Sequence, residues 1–159
     1  MSPQDTTRKY YEDFPVGGKF ISGPKAVTEE ELNIFCILTL HARTIDNTKN
    51  IHMNAEFAKQ YGYKDRLVPG VQTLSYINGL LGSANIMSGA IFLGVEKARF
   101  TAPVYPNDSI TVESEVVEKR DVKKYPDRGI IRLKNTVKNQ DGVVVCEAET
   151  LYMVLKKKK

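Results

Sequence analysis

The sequence predicts an α+β fold in which an antiparallel sheet packs around one long buried helix. Three observations lead there. The stretch from about Val71 to Ile86 carries no charged side chain, so a helix there has to be covered over most of its circumference. After Ser88-Gly89 the hydrophobic period drops to two and stays there to the C-terminus, as in successive strands. Finally, 159 residues with 42% hydrophobic content suffice for one core, and no repeat or linker divides them. A single domain spanning residues 1–159 is expected.

In chain order, the aromatic and turn-rich segment Tyr10 to Ile21 leads into a short strand around Lys19 to Ser22. Thr28 and Glu31 have capping-box spacing, which opens a helix. Leu32, Phe35, Cys36 and Leu40 form its apolar stripe. Periodicity is lost from His41 to His52, a polar loop. Asn54 can cap a short helix, Ala55 to Gln60. The long helix follows, with Val71, Leu74, Ile77, Leu81 and Ala84 marking its apolar face. Four strands close the chain, about Ala90 to Phe100, Ser109 to Arg120, Gly129 to Asn139 and Val143 to Leu155. In the third, Ile131, Leu133 and Val137 alternate with Arg132, Lys134 and Lys138, the pattern of one wet face.

Composition excludes several classes. No apolar run approaches the roughly 20 residues that cross a bilayer, and Met1 to Asp5 is polar, unlike a signal peptide. Two cysteines, Cys36 and Cys146, make no disulfide framework, so a reducing cytoplasm is the expected compartment. With two histidines, no four-ligand metal site is expected. The net charge of +4 matches the four lysines Lys156 to Lys159, expected as a disordered, solvated tail, with an anion-binding patch as the sharper alternative. No nucleic-acid motif is present, and neither nucleic acid nor membrane is an expected partner.

Serine-nucleophile and phosphate-loop motifs are absent. The informative residue is His52, which ends the polar loop carrying Asp46 and Asn47 and directly precedes a capped helix. A histidine beside a carboxylate or carboxamide can orient and deprotonate a water. The stretch Asn47-Thr48-Lys49-Asn50-Ile51-His52-Met53-Asn54-Ala55-Glu56-Phe57-Ala58 resembles the hydratase motif of MaoC-like, R-specific enoyl-CoA hydratases, roughly D-x-N-P-[LI]-H-x-D-P-x-[FY]-A. Leu67 to Leu74 resembles the start of that family's central helix. Arg99-Phe100-Thr101-Ala102-Pro103-Val104-Tyr105-Pro106-Asn107-Asp108 resembles its R-F-x-x-P-V-x-P-G-D turn, and Tyr11 to Gly17 its N-terminal segment.

The resemblance implies a hotdog fold, a sheet wrapped around one helix, assembled at least as a homodimer through sheet edges. It implies reversible hydration of a trans-2-enoyl-CoA to a (3R)-hydroxyacyl-CoA, with no cofactor beyond the CoA of the substrate. His52 is the implied acid/base, and the Gly70 N–H the implied donor to the thioester oxygen. Asn47 falls at the position of the family's catalytic Asp, with Asp46 one residue earlier as the competing carboxylate. Arg99 is a candidate for a CoA phosphate. Pro69, Lys49 and Asn50 depart from the usual motif residues. His41, outside the motif, is not expected to share the chemistry. An acyl-CoA thioesterase and a non-catalytic acyl-CoA-binding protein are the alternatives; the absence of Asp and Glu from the long helix counts against the first.

Overall fold

A computed structural model describes residues 8–43 and 47–158. Strands β1 (Lys19–Ile21) and β2 (Lys25–Ala26) precede helix α1 (Glu29–Leu38), then come α2 (Ala55–Gln60) and α3 (Gly70–Ser83). The long strands β3 (Ile91–Phe100), β4 (Ser109–Asp121), β5 (Arg128–Asn139) and β6 (Val144–Leu155) follow. All pairings are antiparallel, in the order β1-β4-β5-β6-β3, with β2 also pairing β4. The core is Val112 and Val116 of β4, Ile131, Leu133 and Val137 of β5 and Tyr152 and Val154 of β6, packed with Ile77, Leu80 and Leu81 of α3. This is the hotdog arrangement, and it places the N-terminus of α3 at one end of the sheet.

Local signals built the helices as expected. The Thr28 side chain accepts from Glu31 N–H at 3.2 Å while the Glu31 carboxylate accepts from Thr28 N–H at 3.1 Å. Asn54 Oδ1 accepts from Phe57 N–H at 2.9 Å, capping α2. Leu32 and Cys36 are sealed on α1. Leu40 is not: α1 ends at Leu38, and Leu40 lies beyond it with φ 63° and its side chain exposed. Helix α3 also ends earlier than expected, at Ser83, with Asn85 in the left-handed region and Ile86 buried beyond the helix. Val71, Ser75, Gly79 and Ser83 form an exposed stripe, so Val71 does not belong to the buried face.

A buried polar cluster interrupts the apolar interior of the sheet. Asn135 of β5 is fully buried; its Oδ1 accepts from Ser114 Oγ of β4 at 2.6 Å, and its Nδ2 donates to Thr150 Oγ1 of β6 at 2.8 Å and to the Ala148 carbonyl at 3.2 Å. Lys156 and Lys157 depart from the expected free tail, while Lys159 lies outside the described residues. Lys156 N–H donates to Asp127 O and its ammonium pairs with Asp121 at 2.8 Å, while Lys157 N–H donates to Glu12 and its ammonium pairs with Asp13. Glu12 and Asp13 of the N-terminal segment, Asp121 at the end of β4 and the Asp127 carbonyl of the β4–β5 turn hold them. Cys36 and Cys146 are both buried free thiols. No helix among the described residues is long and apolar enough to cross a membrane.

Candidate active site

The turn before α2 carries His52 half-buried against the segment that leads into α3. That segment is held on both sides: Leu67 N–H donates to Ile51 O at 3.0 Å, and Val68 N–H to Val104 O at 2.8 Å. The Leu67 carbonyl is thereby fixed beside the imidazole, 2.7 Å from Nδ1. A carbonyl can only accept, so Nδ1 carries the proton and Nε2 keeps its lone pair. Burial holds the His52 pKa below its ordinary 6.5; the Leu67 hydrogen bond pulls it up, and the neighbouring His41 ring pushes it down. The net direction is down, which favours the neutral, basic form at neutral pH.

His52 and Gly70 line one cavity of about 320 Å³, together with Tyr63, Leu67, Thr73, Phe100, Thr101 and residues of the turn that follows. Gly70 is the first residue of α3, behind Pro69. The first N–H groups of a helix have no carbonyl one turn back, and the helix dipole makes that end favourable for negative charge. A Cβ at Gly70 would stand 2.7 Å from Cζ of Phe100, so only glycine lets the ring close this wall. Phe100 leads into the tight connection to β4. There Asp108 accepts from Tyr105 N–H and from the Gln140 amide, each at 2.9 Å, and Asn107 takes the left-handed φ of 69° where the family motif has glycine.

The other sequence candidates fall elsewhere. Asn47 is exposed on the single turn Asn47–Lys49 and does not line the cavity. Asp46 lies outside the described residues. Arg99 pairs in register with Glu147, one residue from Phe100, which lines the cavity. Strand alternation therefore turns it to the outer face of the sheet, into a groove shared with Glu96, Glu147 and Glu149. The structure does not bring it to the cavity of His52.

What sequence reasoning missed is His41 and the carboxamide that draws it in. Asn50 is buried, and its Nδ2 donates to His41 O at 2.5 Å while its Oδ1 accepts from His52 N–H at 2.8 Å. One side chain thus clamps the two ends of the polar loop. The rings of His41 and His52 meet edge to face, with centroids 5.5 Å apart. The signal available was the replacement of the motif proline by Asn50, a residue able to bridge backbone groups.

Comparison with known proteins agrees with this architecture. Residues 15–139 match the MaoC like domain family. The chain is 29% identical, over 97% of its own length and 97% of the relative's, to an (R)-specific enoyl-CoA hydratase of Rhodospirillum rubrum. Among solved structures, it superposes with a TM-score of 0.80 at 30% identity on a monoamine oxidase regulatory protein of Archaeoglobus fulgius, covering 95% of this chain and 97% of that one. The R-hydratase PhaJ1 of Pseudomonas aeruginosa superposes with a TM-score of 0.72 at 27% identity, covering 93% and 86%. With the family match extending from the N-terminal segment through the His52 loop, the central helix and β5, this chain belongs to the MaoC-like hydratase and dehydratase family of hotdog proteins.

Proposed function

We propose that the chain catalyses reversible hydration of a trans-2-enoyl-CoA to a (3R)-hydroxyacyl-CoA. The observation that carries this reading is the shared cavity of His52, with Nε2 free to accept a proton, and the Gly70 N–H at a helix N-terminus. In the forward direction water attacks C3 and gives a proton to His52 Nε2. The C2–C3 π electrons move towards the thioester oxygen, where the Gly70 N–H stabilises the developing charge. The imidazolium then returns its proton to C2, so the water supplies both added groups and His52 ends as it began. The cavity volume of about 320 Å³ suits a thioester and a short acyl group. Arg99 has no part in this mechanism, because it lines a separate groove with Glu96, Lys97, Lys134, Glu147 and Glu149 and does not reach the cavity of His52.

We also infer a homodimer through β3. This strand ends the sheet within one chain, and Ile91, Phe92, Leu93, Val95 and Phe100 are each at least 40% exposed. A second copy offers the same edge under two-fold symmetry and would cover both the unpaired backbone groups and the apolar side chains.

The test is turnover of a short enoyl-CoA, followed at the absorbance of the conjugated thioester. His52→Ala should lose about 10²–10⁴-fold in kcat with the fold retained. Full turnover by that variant would remove His52 from the site, and release of free thiol by the wild type would point to thioester hydrolysis instead.

A further inference from the structure

We propose that the hydroxyl of Thr73 is a second hydrogen-bond donor to the thioester oxygen, acting beside the Gly70 N–H. This role rests on the hydratase reading above and adds a residue to it. Protein interiors pair their polar groups almost without exception. Here the buried side chains of Ser22, Asn50, Asp108, Ser114, Asn135 and Thr150 each hold a hydrogen-bond partner. Gln72, also buried, donates to Tyr76 at 2.8 Å. Thr73 is 2% exposed, and its hydroxyl has no partner among the described residues.

The backbone explains why that hydroxyl is unspent. A threonine or serine inside a helix can donate to the carbonyl four residues back. Ser75 of the same helix does so, to Val71 O at 3.0 Å. For Thr73 the carbonyl in question is Pro69 O, which already accepts from Gln72 N–H at 2.9 Å and from Thr73 N–H at 3.2 Å. Both of its lone pairs are taken. Thr73 lines the cavity shared by His52 and Gly70. Thr101 lines it too, but its hydroxyl is committed to Val144 O at 2.6 Å. The Thr73 hydroxyl therefore opens on the reacting site with no structural acceptor to hold it.

Helix geometry directs it to the same oxygen as the Gly70 N–H. Thr73 follows Gly70 by three residues, so the two share a face of α3. Helical side chains lean towards the N-terminus and cover the turn before their own Cα. The Thr73 side chain accordingly covers the turn whose first N–H groups lack intrahelical acceptors. A thioester oxygen at this helix end meets a backbone donor and a hydroxyl donor together. Two donors match the two lone pairs of a carbonyl oxygen that is gaining charge. Thr73 keeps its proton throughout: its hydrogen bond strengthens as the C2–C3 π electrons move to the oxygen and weakens again when His52 protonates C2. The substrate thereby satisfies a hydroxyl that folding leaves unsatisfied.

The experiment uses the full chain and crotonyl-CoA, with kcat and KM measured for wild type, Thr73→Val and Thr73→Ser. Valine keeps the branched shape and puts a methyl group in place of the hydroxyl. Serine keeps the hydroxyl and drops the methyl group. Thr73→Val should lose about 10²-fold in kcat with KM little changed, and Thr73→Ser should retain most of the wild-type kcat. Thermal unfolding supplies a readout that a structural hydroxyl would move the other way: Thr73→Val should melt no lower than wild type, because it removes an unpaired buried hydroxyl. Infrared spectra of crotonyl-CoA bound to His52→Ala report the thioester directly. Adding Thr73→Val to that variant should raise the C=O stretching frequency, as the carbonyl loses a donor. Wild-type turnover with undiminished kcat in Thr73→Val, an equal loss in Thr73→Ser, a lowered melting temperature in Thr73→Val or an unshifted C=O stretch each overturns the Thr73 assignment while leaving the hydratase reading in place. No turnover of crotonyl-CoA or a longer enoyl-CoA by the wild type overturns both.

Discussion

Substituting Gly70 by alanine separates the shape of the site from its stability. The added Cβ would meet Cζ, Cε2 and Cε1 of Phe100 at 2.7, 2.8 and 2.9 Å. Carbon atoms pack at about 3.5–4.0 Å, so the ring has to retreat by roughly 1 Å. Phe100 is 51% exposed and can swing towards solvent, which places the strain at the low end of the roughly 1–3 kcal/mol that overpacking costs. Replacing glycine by alanine in a helix returns up to about 1 kcal/mol, and less in the first turn. Net stability should therefore fall by no more than about 1–2 kcal/mol. The cavity fares worse, because the displaced ring is its wall and stands over the N–H assigned to the thioester oxygen. A misplacement near 1 Å can cost about 10²-fold in rate, so kcat/KM for crotonyl-CoA should drop by that order while a urea melt moves little. Phe100→Leu on the Gly70→Ala background should recover part of the activity by giving the methyl group room. Unchanged kcat/KM in Gly70→Ala would show that the Phe100 wall and the helix N-terminus do not form the reacting site.

Other perturbations test separate parts of the argument. The depressed pKa of His52 means that the folded protein binds its proton less readily than the unfolded chain. This stability contribution is present above pH 6.5 and is lost as pH falls through 6.5 towards the folded pKa. With two histidines in the chain, their imidazole proton signals in NMR give both midpoints directly, and a His52 midpoint above 6.5 would contradict the burial argument. In the loop, Asn47→Asp should leave kcat unchanged, because Asn47 stands outside the cavity lining; a gain would bring that residue to the water, and a large loss in Asp46→Asn with no change in Asn47→Ala would put Asp46 there instead. Sedimentation at micromolar concentration should find a dimer, and charged substitutions at Phe92 and Val95 should release monomers; a stable wild-type monomer would refute pairing through β3.

Much of this fold could be read from local sequence because local interactions build it. The Thr28–Glu31 box and the Asn54 cap are three-residue signals, and both caps form where their residue types place them. The long strands follow the alternation to within one residue at either end, since a single buried face imposes a period of two. β2, Lys25–Ala26, is too short to show any period. Leu40 and Val71 had helical spacing but fall where packing does not reach, one beyond the end of α1 and the other on the outer stripe of α3. His52 and Gly70 were found as a pair because motif spacing carried them. The outward turn of Arg99 was available from the parity of Phe100 beside it. The meeting of His41 with His52 was not, because it depends on closure of an aperiodic loop by the Asn50 carboxamide.

The buried carboxamide of Asn135 bears on how the strands find their partners. Alternating apolar and polar residues penalise a slip of one residue, which would turn the interior of a strand to water. A slip of two leaves the alternation intact and goes undetected by any purely apolar strand. Here it would move Asn135 from beside Ser114 to beside Val112 or Val116, both fully buried. The hydroxyls of Ser114 and Thr150 would lose their partner at the same moment. Each buried polar group left unpaired costs about 1–3 kcal/mol, so the misaligned sheet pays several times over while the aligned one pays nothing. Asn135 thus acts as an index mark on the central strand, distinguishing the native alignment of β4, β5 and β6 from the even-numbered misalignments that hydrophobicity alone would accept.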